Sequence, residues 1–150
     1  MGLRHVGREL ALKALYQIDL GGGGSNDDLA LFFATFPADD RACTFALKMV
    51  DGVRRDQAII DKQLANALEH WSVGRLSCID HNILRIAVHE LMRMDDVPTR
   101  VTIDEAIELA KTYGDRESSR FVNGVLDQVA ERLNVKDKGE GRVSDKSPLV

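Results

Sequence analysis

Several groups of residues in this 150-residue chain have types and spacings that invite a chemical reading. His81 and His89 stand eight positions apart on one amphipathic segment. A helical metal pair needs a four-residue step so that both rings reach one ion, and no third ligand accompanies these two. Asp95 and Asp96 pair two carboxylates, but Pro98 follows, which makes them residues of a helix end. The run Gly21–Gly24 follows a helical pattern, not a strand, and lacks the lysine of a triphosphate loop. Cys43 and Cys78 have no CxxC or Cys/His spacing and read as two free buried thiols. With no nucleophile elbow and no cysteine–histidine set, the sequence argues against an enzyme, a metal site or a cofactor.

Two other clusters suit a nucleic acid. Arg4, His5, Arg8 and Lys13 lie near one helix start, with Tyr16 two turns beyond Arg8. Cations there can hold phosphates, and an exposed aromatic can stack on an unpaired base. Arg4 and Arg8 also oppose the dipole at the start of their own helix, a local conflict that favours a functional role. Farther on, Lys111, Tyr113, Arg116 and Arg120 surround the loop from Gly114 to Ser119, where a helix N-terminus offers free N–H groups to an anion. Ordinary solvated faces account for the same residues. Asp80 and Glu90 could face a basic protein partner, although Asp80 also suits a capping role.

These residues must be carried by helices. Residues 3–20 show one apolar stripe, with Val6, Leu10, Ala11, Ala14, Leu15 and Ile18 at three- and four-residue steps and Arg4, Arg8 and Lys13 off it. Gly21–Gly24 stops this helix. Ser25 with Asp28 forms a capping box for a second helix ending near Phe36, before Pro37. A third, long helix starts at Asp39 or Asp40 and carries a stripe from Ala46 to Trp71, with Gly52 marking a bend or a close crossing. Trp71 to Leu76 reads as a loop. Ser77 with Asp80 opens a fourth helix, and Thr102 with Glu105 gives the clearest capping box for a fifth. Gly114 sits where a C′ glycine belongs, and Ser118 or Ser119 caps the sixth. Strand alternation is absent, so the expected fold is an all-α bundle of about six to seven helices.

Composition agrees with one soluble domain: 44% hydrophobic and 29% charged residues, with aromatics at 5%. The core must therefore be mainly Leu, Ile, Val and Ala. A net charge of −4 excludes a wholly basic surface but not a local basic patch. No apolar run approaches a membrane span, and no signal-type segment opens the chain, so a cytoplasmic protein without a membrane is expected. The domain is expected over residues 1–134, and the polar residues 135–150 as a disordered tail.

At ILRIAVHEL (Ile83 to Leu91), VPTRVTIDEAIELAKTYG (Val97 to Gly114) and SSRFVNGVLD (Ser118 to Asp127) the chain resembles the NusB family of bacterial transcription antitermination factors. The likeness extends back through Trp71 and Leu76–Asp80, and Arg8–Tyr16 looks like the family's arginine-rich first helix. It covers residues 3–134. The resemblance implies two three-helix halves and binding of boxA-type single-stranded RNA together with NusE, a small-subunit ribosomal protein. That pair joins the RNA polymerase antitermination complex, notably on ribosomal RNA operons. Carried over, Arg4, His5, Arg8 and Tyr16 match the RNA-facing first helix. Tyr113, Glu117 and Phe121, with Arg120 beside them, match the loop and helix start that complete the RNA surface. Asp80 and Glu90 fall in the segment associated with NusE. Phe121 borders the Val122 stripe and suits the core equally. The family often has three or more consecutive arginines where this chain reads Arg4-His5-Val6-Gly7-Arg8, which implies fewer phosphate contacts and a shallower salt dependence. The alternatives are a protein-interaction bundle that binds no RNA, or an accessory RNA-binding module for ribosomal RNA modification.

Overall fold

The computed structural model describes residues 2–69, 76–136, 138 and 139. Among these residues there are seven helices and no strand: α1 (Leu3–Asp19), α2 (Asn26–Thr35), α3 (Asp40–Arg55), α4 (Gln57–Ala67), α5 (Cys78–Arg93), α6 (Thr99–Tyr113) and α7 (Ser118–Arg132). The first three pack as one half and the last three as the other, with α4 laid between α3, α5 and α7. The α5 helix touches both halves, so Ile83, Leu84, Ile86, Val88 and Leu91 lie buried on more than one side of it. The core is aliphatic, as a sequence poor in aromatics requires. No helix among the described residues is long and apolar enough to cross a membrane.

The helix starts are partly as read from sequence. The Ser25 hydroxyl accepts from the Asp28 N–H at 3.1 Å, and the Asp28 carboxylate accepts from the Ser25 N–H, which completes the expected box on α2. Ser77 caps α5 by accepting from the Asp80 N–H. Three expectations require correction. The α6 helix begins at Thr99, behind Pro98, so Thr102 is interior, 1% exposed, and gives its hydroxyl to Glu90 of α5 instead of to a cap. Gly114 ends α6 with φ −89°, so left-handed geometry is not its reason; a Cβ there would meet the Ser118 Oγ at 2.4 Å. Ser118 does not cap α7. Its hydroxyl accepts from the Asp115 N–H at 2.9 Å, inside the turn that joins α6 to α7.

The long third helix also divides, at Asp56, into α3 and α4. Asp56 accepts from Arg55 and Arg93 there. Trp71 and most of the expected loop after it lie outside the described residues. Gly52 marks a close crossing: a Cβ would come within 2.3 Å of the His89 ring of α5. His89 is 7% exposed, and burial holds its imidazole below the ordinary histidine value, with Glu90 opposing and Arg55 adding to the effect. Because the unfolded chain takes this proton first, His89 lowers stability as pH falls from about 6.5 towards the folded value. Urea midpoints measured between pH 7 and pH 5 should fall in the wild type, and His89→Gln should remove the His89 share of that slope.

Packing continues past residue 134. Lys138 donates its Nζ to the carbonyls of Glu90 and Met94 at 2.9 and 2.8 Å, capping the C-terminal end of α5. The Thr99 N–H donates to the Lys138 carbonyl, and the Thr99 hydroxyl to that of Val135. The first residues assigned to the tail are thus fastened across the start of α6.

Midway along α5, Arg85 ties three helices together. Its guanidinium donates to Asp61 of α4 at 3.0 and 2.9 Å and to Asp19 of α1 at 3.0 Å. His81 pairs with Asp61 and Asn82 with Asp19. The histidine that invited a metal reading is therefore a member of an ion-pair network. Among the described residues no cluster of His, Cys, Asp or Glu could hold a metal ion.

Candidate nucleic-acid interface

The partly exposed side of α1 carries His5, Glu9, Lys13 and Tyr16, one residue per turn, and Arg4 is exposed at the helix start. Gly7 lets this helix lie close on α3, since a Cβ would meet the Phe45 ring at 2.5 Å. That approach buries the neighbouring residue too. Arg8 is 3% exposed and makes a two-pronged contact with Glu90, Nε to Oε2 at 2.7 Å and Nη2 to Oε1 at 2.8 Å. The Thr102 hydroxyl donates to the same Oε1 at 3.0 Å, Glu105 lies 3.5 Å from the guanidinium, and the Phe45 ring lies 5.7 Å below it. Burial works against the charge on Arg8, but the hydrogen bond and attraction of Glu90 outweigh it and hold its pKa above the ordinary arginine value.

Two sequence expectations are corrected by this pair. The spacing sets Arg8 off the apolar stripe, and the family resemblance turns it towards RNA and Glu90 towards a protein partner. Each faces the other inside the protein. The sequence of α1 alone cannot distinguish an arginine that points to solvent from one that reaches a carboxylate on another helix. Asp80 is likewise inward, 7% exposed, beside Ser118 and Asp115 at the start of α7. Burial pushes its carboxyl up, the Ser118 hydrogen bond pulls it down, and the Asp115 charge raises it again.

The remaining expected residues stay at the surface, wholly or in part. Arg4 is about half exposed and reaches Asp96 at 3.1 Å, with its guanidinium 5.4 Å over the Phe45 ring. Its hydrogen bond holds the Asp96 carboxylate below the usual range. Exposed pairs of this kind contribute little and exchange partners readily. His5 is held by Glu105 at 2.9 Å, with Glu9 at 3.8 Å on its other nitrogen. Tyr16 is half-buried.

From the other half of the molecule, Tyr113 at the end of α6 donates its hydroxyl to Glu9 of α1 at 3.0 Å. Burial, then the Glu9 contact, raises its phenol above the ordinary value. This contact joins the two clusters that sequence spacing suggested separately. Glu117 and Arg120 are exposed on the turn and first helical residues beyond Gly114, and Phe121 is half-buried against the core. The structure thus brings His5, Tyr16 and Tyr113 to one side of α1, sets Arg4 at the helix start towards Asp96 and Phe45, and leaves Glu117 and Arg120 exposed beyond Gly114. It also adds residues that sequence reasoning did not assign. Glu9 and Glu105 lie against His5, and Phe36 sits against Lys13. The step of four from His5 to Glu9 to Lys13 was the available sign for the first of these. Phe36 showed none, because its position before Pro37 marks only a helix end.

The sequence model of the NusB family matches residues 5–131. The transcription antitermination protein NusB of Sorangium cellulosum is 41% identical over 138 residues, covering 92% of this chain and 99% of that protein. The NusB protein of Anaeromyxobacter dehalogenans strain 2CP-1 is 43% identical over 134 residues, covering 89% and 94%. A structure of T. maritima NusB superposes with a TM-score of 0.75 at 36% identity, over 87% of this chain and 92% of that one. A crystal structure of the antitermination factors NusB and NusE in complex with double-stranded RNA gives a TM-score of 0.75 at 28% identity, over 88% and 98%.

Proposed function

The chain belongs to the NusB family, and on that premise we propose that it is a non-enzymatic bacterial transcription antitermination factor. It binds boxA-type single-stranded RNA together with NusE and joins the RNA polymerase antitermination complex in the cytoplasm, notably on ribosomal RNA operons. The observation that carries the reading is the meeting of α1 and the end of α6, where cations and aromatic rings share one face. Arg4 and His5 hold the RNA backbone, and Tyr16 and Tyr113 stack on unpaired bases. Glu117, Arg120 and Phe121 continue the surface and offer hydrogen bonds and an apolar edge. Arg8 and Glu90 brace this face from within and do not touch RNA or NusE. Asp80 acts in the same indirect way, by setting the turn before α7.

Arg4 and His5 each have a carboxylate neighbour already, so RNA must displace Asp96 from Arg4 and Glu105 from His5. NusE adds surface that a weak RNA face of this kind needs. A fluorescence titration with a boxA-like oligonucleotide, a scrambled strand and a duplex of the same sequence, each with and without NusE, tests the proposal. The boxA-like strand should bind more tightly than the scrambled one, and NusE should tighten it further. Equal binding of the two strands in both conditions would exclude the proposal. Within the site, Tyr16→Ala should lower the boxA-like affinity by about 1–3 kcal/mol through lost stacking. Unchanged affinity, with helicity intact by circular dichroism, removes Tyr16 from the interface.

A further inference from the structure

Lys13 differs from the other basic side chains of α1 near it. Arg4, His5 and Arg8 each lie against a carboxylate, whereas Lys13 makes no ion pair among the described residues. Its ammonium stands instead between two aromatic rings, 5.3 Å from the centroid of Phe36 and 5.8 Å from that of Tyr113. An aromatic face attracts a cation without neutralising it. The charge of Lys13 therefore remains available to an anion, which need not first displace a carboxylate.

Both rings are held in place. Tyr113 is tethered through its hydroxyl to Glu9, one turn before Lys13 on α1. Phe36 leans on Phe32, with centroids 4.7 Å apart and planes inclined by 46°, and Phe32 is itself buried in the core. The three side chains come from α6, from the end of α2 and from α1, so the arrangement exists only in the folded chain. Its parts are an unneutralised ammonium flanked by two fixed aromatic rings. A strand of single-stranded nucleic acid presents the complement: a phosphate between bases, each base having a π-face.

We propose that Lys13, Phe36 and Tyr113 form a nucleotide subsite in which Lys13 takes one backbone phosphate and the rings stack the adjoining bases. The subsite extends the RNA path from the start of α1 across to the end of α2. It rests on the RNA-binding function proposed above and adds Lys13 and Phe36 to it. The competing role for Lys13 is purely local, its alkyl stem covering aromatic surface.

The two roles separate in the salt dependence of binding. Affinity for the boxA-like strand is measured from 50 to 200 mM salt for wild type, Lys13→Met, Lys13→Arg and Phe36→Leu, with circular dichroism to establish that each is folded. Losing one phosphate contact on a single strand should flatten the slope of log K against log salt by about 0.7 in Lys13→Met. Lys13→Arg should keep the wild-type slope. Phe36→Leu should weaken binding at every salt concentration, by about 5-fold or more if a base stacks there, with the slope unchanged. A wild-type slope in Lys13→Met, while the wild type still prefers the boxA-like strand to the scrambled one, overturns the subsite alone. Loss of that preference in the wild type overturns the RNA-binding function on which the subsite rests.

Discussion

Arg8→Met should destabilise the fold by about 3–5 kcal/mol, because it leaves the Glu90 carboxylate buried without its cation. Glu90 is 1% exposed, so water cannot replace the guanidinium. Among the described residues the Thr102 hydroxyl at 3.0 Å is the other side-chain donor to the Glu90 carboxylate, and one neutral donor does not offset a buried charge. Arg8→Lys should recover only part of the loss, since an ammonium cannot reproduce the two parallel bonds at 2.7 and 2.8 Å. Removing both charges in Arg8→Met/Glu90→Leu should be less costly than Arg8→Met alone, because no unpaired charge then remains. Urea unfolding of the three variants measures all of this. A surface arginine used only for RNA would behave in the opposite way, with stability within about 0.5 kcal/mol of wild type and RNA affinity sharply reduced. That result would return Arg8 to the RNA face.

The second large effect is at the middle of α5. Arg85 joins Asp61 of α4 and Asp19 of α1 to α5, and its guanidinium side chain is 8% exposed. Arg85→Met should cost about 2–3 kcal/mol. This lies below the buried-pair range because Asp61 and Asp19 are each about one-third exposed and can take up water when the arginine is lost. Its pH signature is specific. Burial alone would raise the Asp61 carboxyl, but Arg85 and then His81 outweigh it and hold it below the ordinary value. Stability from this group is therefore present above the unfolded value near pH 4 and is lost as pH falls through the lower folded value. Arg85→Met should remove much of that acid-limb slope while lowering stability throughout the neutral range. A variant as stable as wild type at pH 7 would show that the network contributes nothing net.

These two arginines mark where sequence reading succeeds and where it stops. The stripes of α1, α3, α5, α6 and α7 are legible because apolar residues recur at helical steps and the segments end at glycine or before proline. The box at Ser25 and the cap at Ser77 are legible because a cap and its partner lie three residues apart. Thr102 has the same local pattern and does not cap, because Glu90 on another helix takes its hydroxyl. Arg8 has the local pattern of a solvent-facing cation and is buried, because Gly7 brings α1 onto α3 and Glu90 lies beneath. For the site, spacing assembled Arg4, His5 and Tyr16 on one helix and Tyr113 in a separate cluster. It did not show that Tyr113 reaches Glu9, or that Phe36 and Tyr113 hold Lys13 between them.

By itself the sequence determined the all-helical fold, the order of most of its helices, an aliphatic core and the family. Those properties depend on residues within a few turns of one another and on the order of short motifs. Only the tertiary structure decided which charges face water. Arg8, Glu90, Asp80 and Arg85 are turned inward, whereas Arg4 and Lys13 keep access to the surface of α1. That decision depends on carboxylates and rings supplied by other helices. The free energy of a charge is set by its surroundings in space, not by its neighbours in the chain.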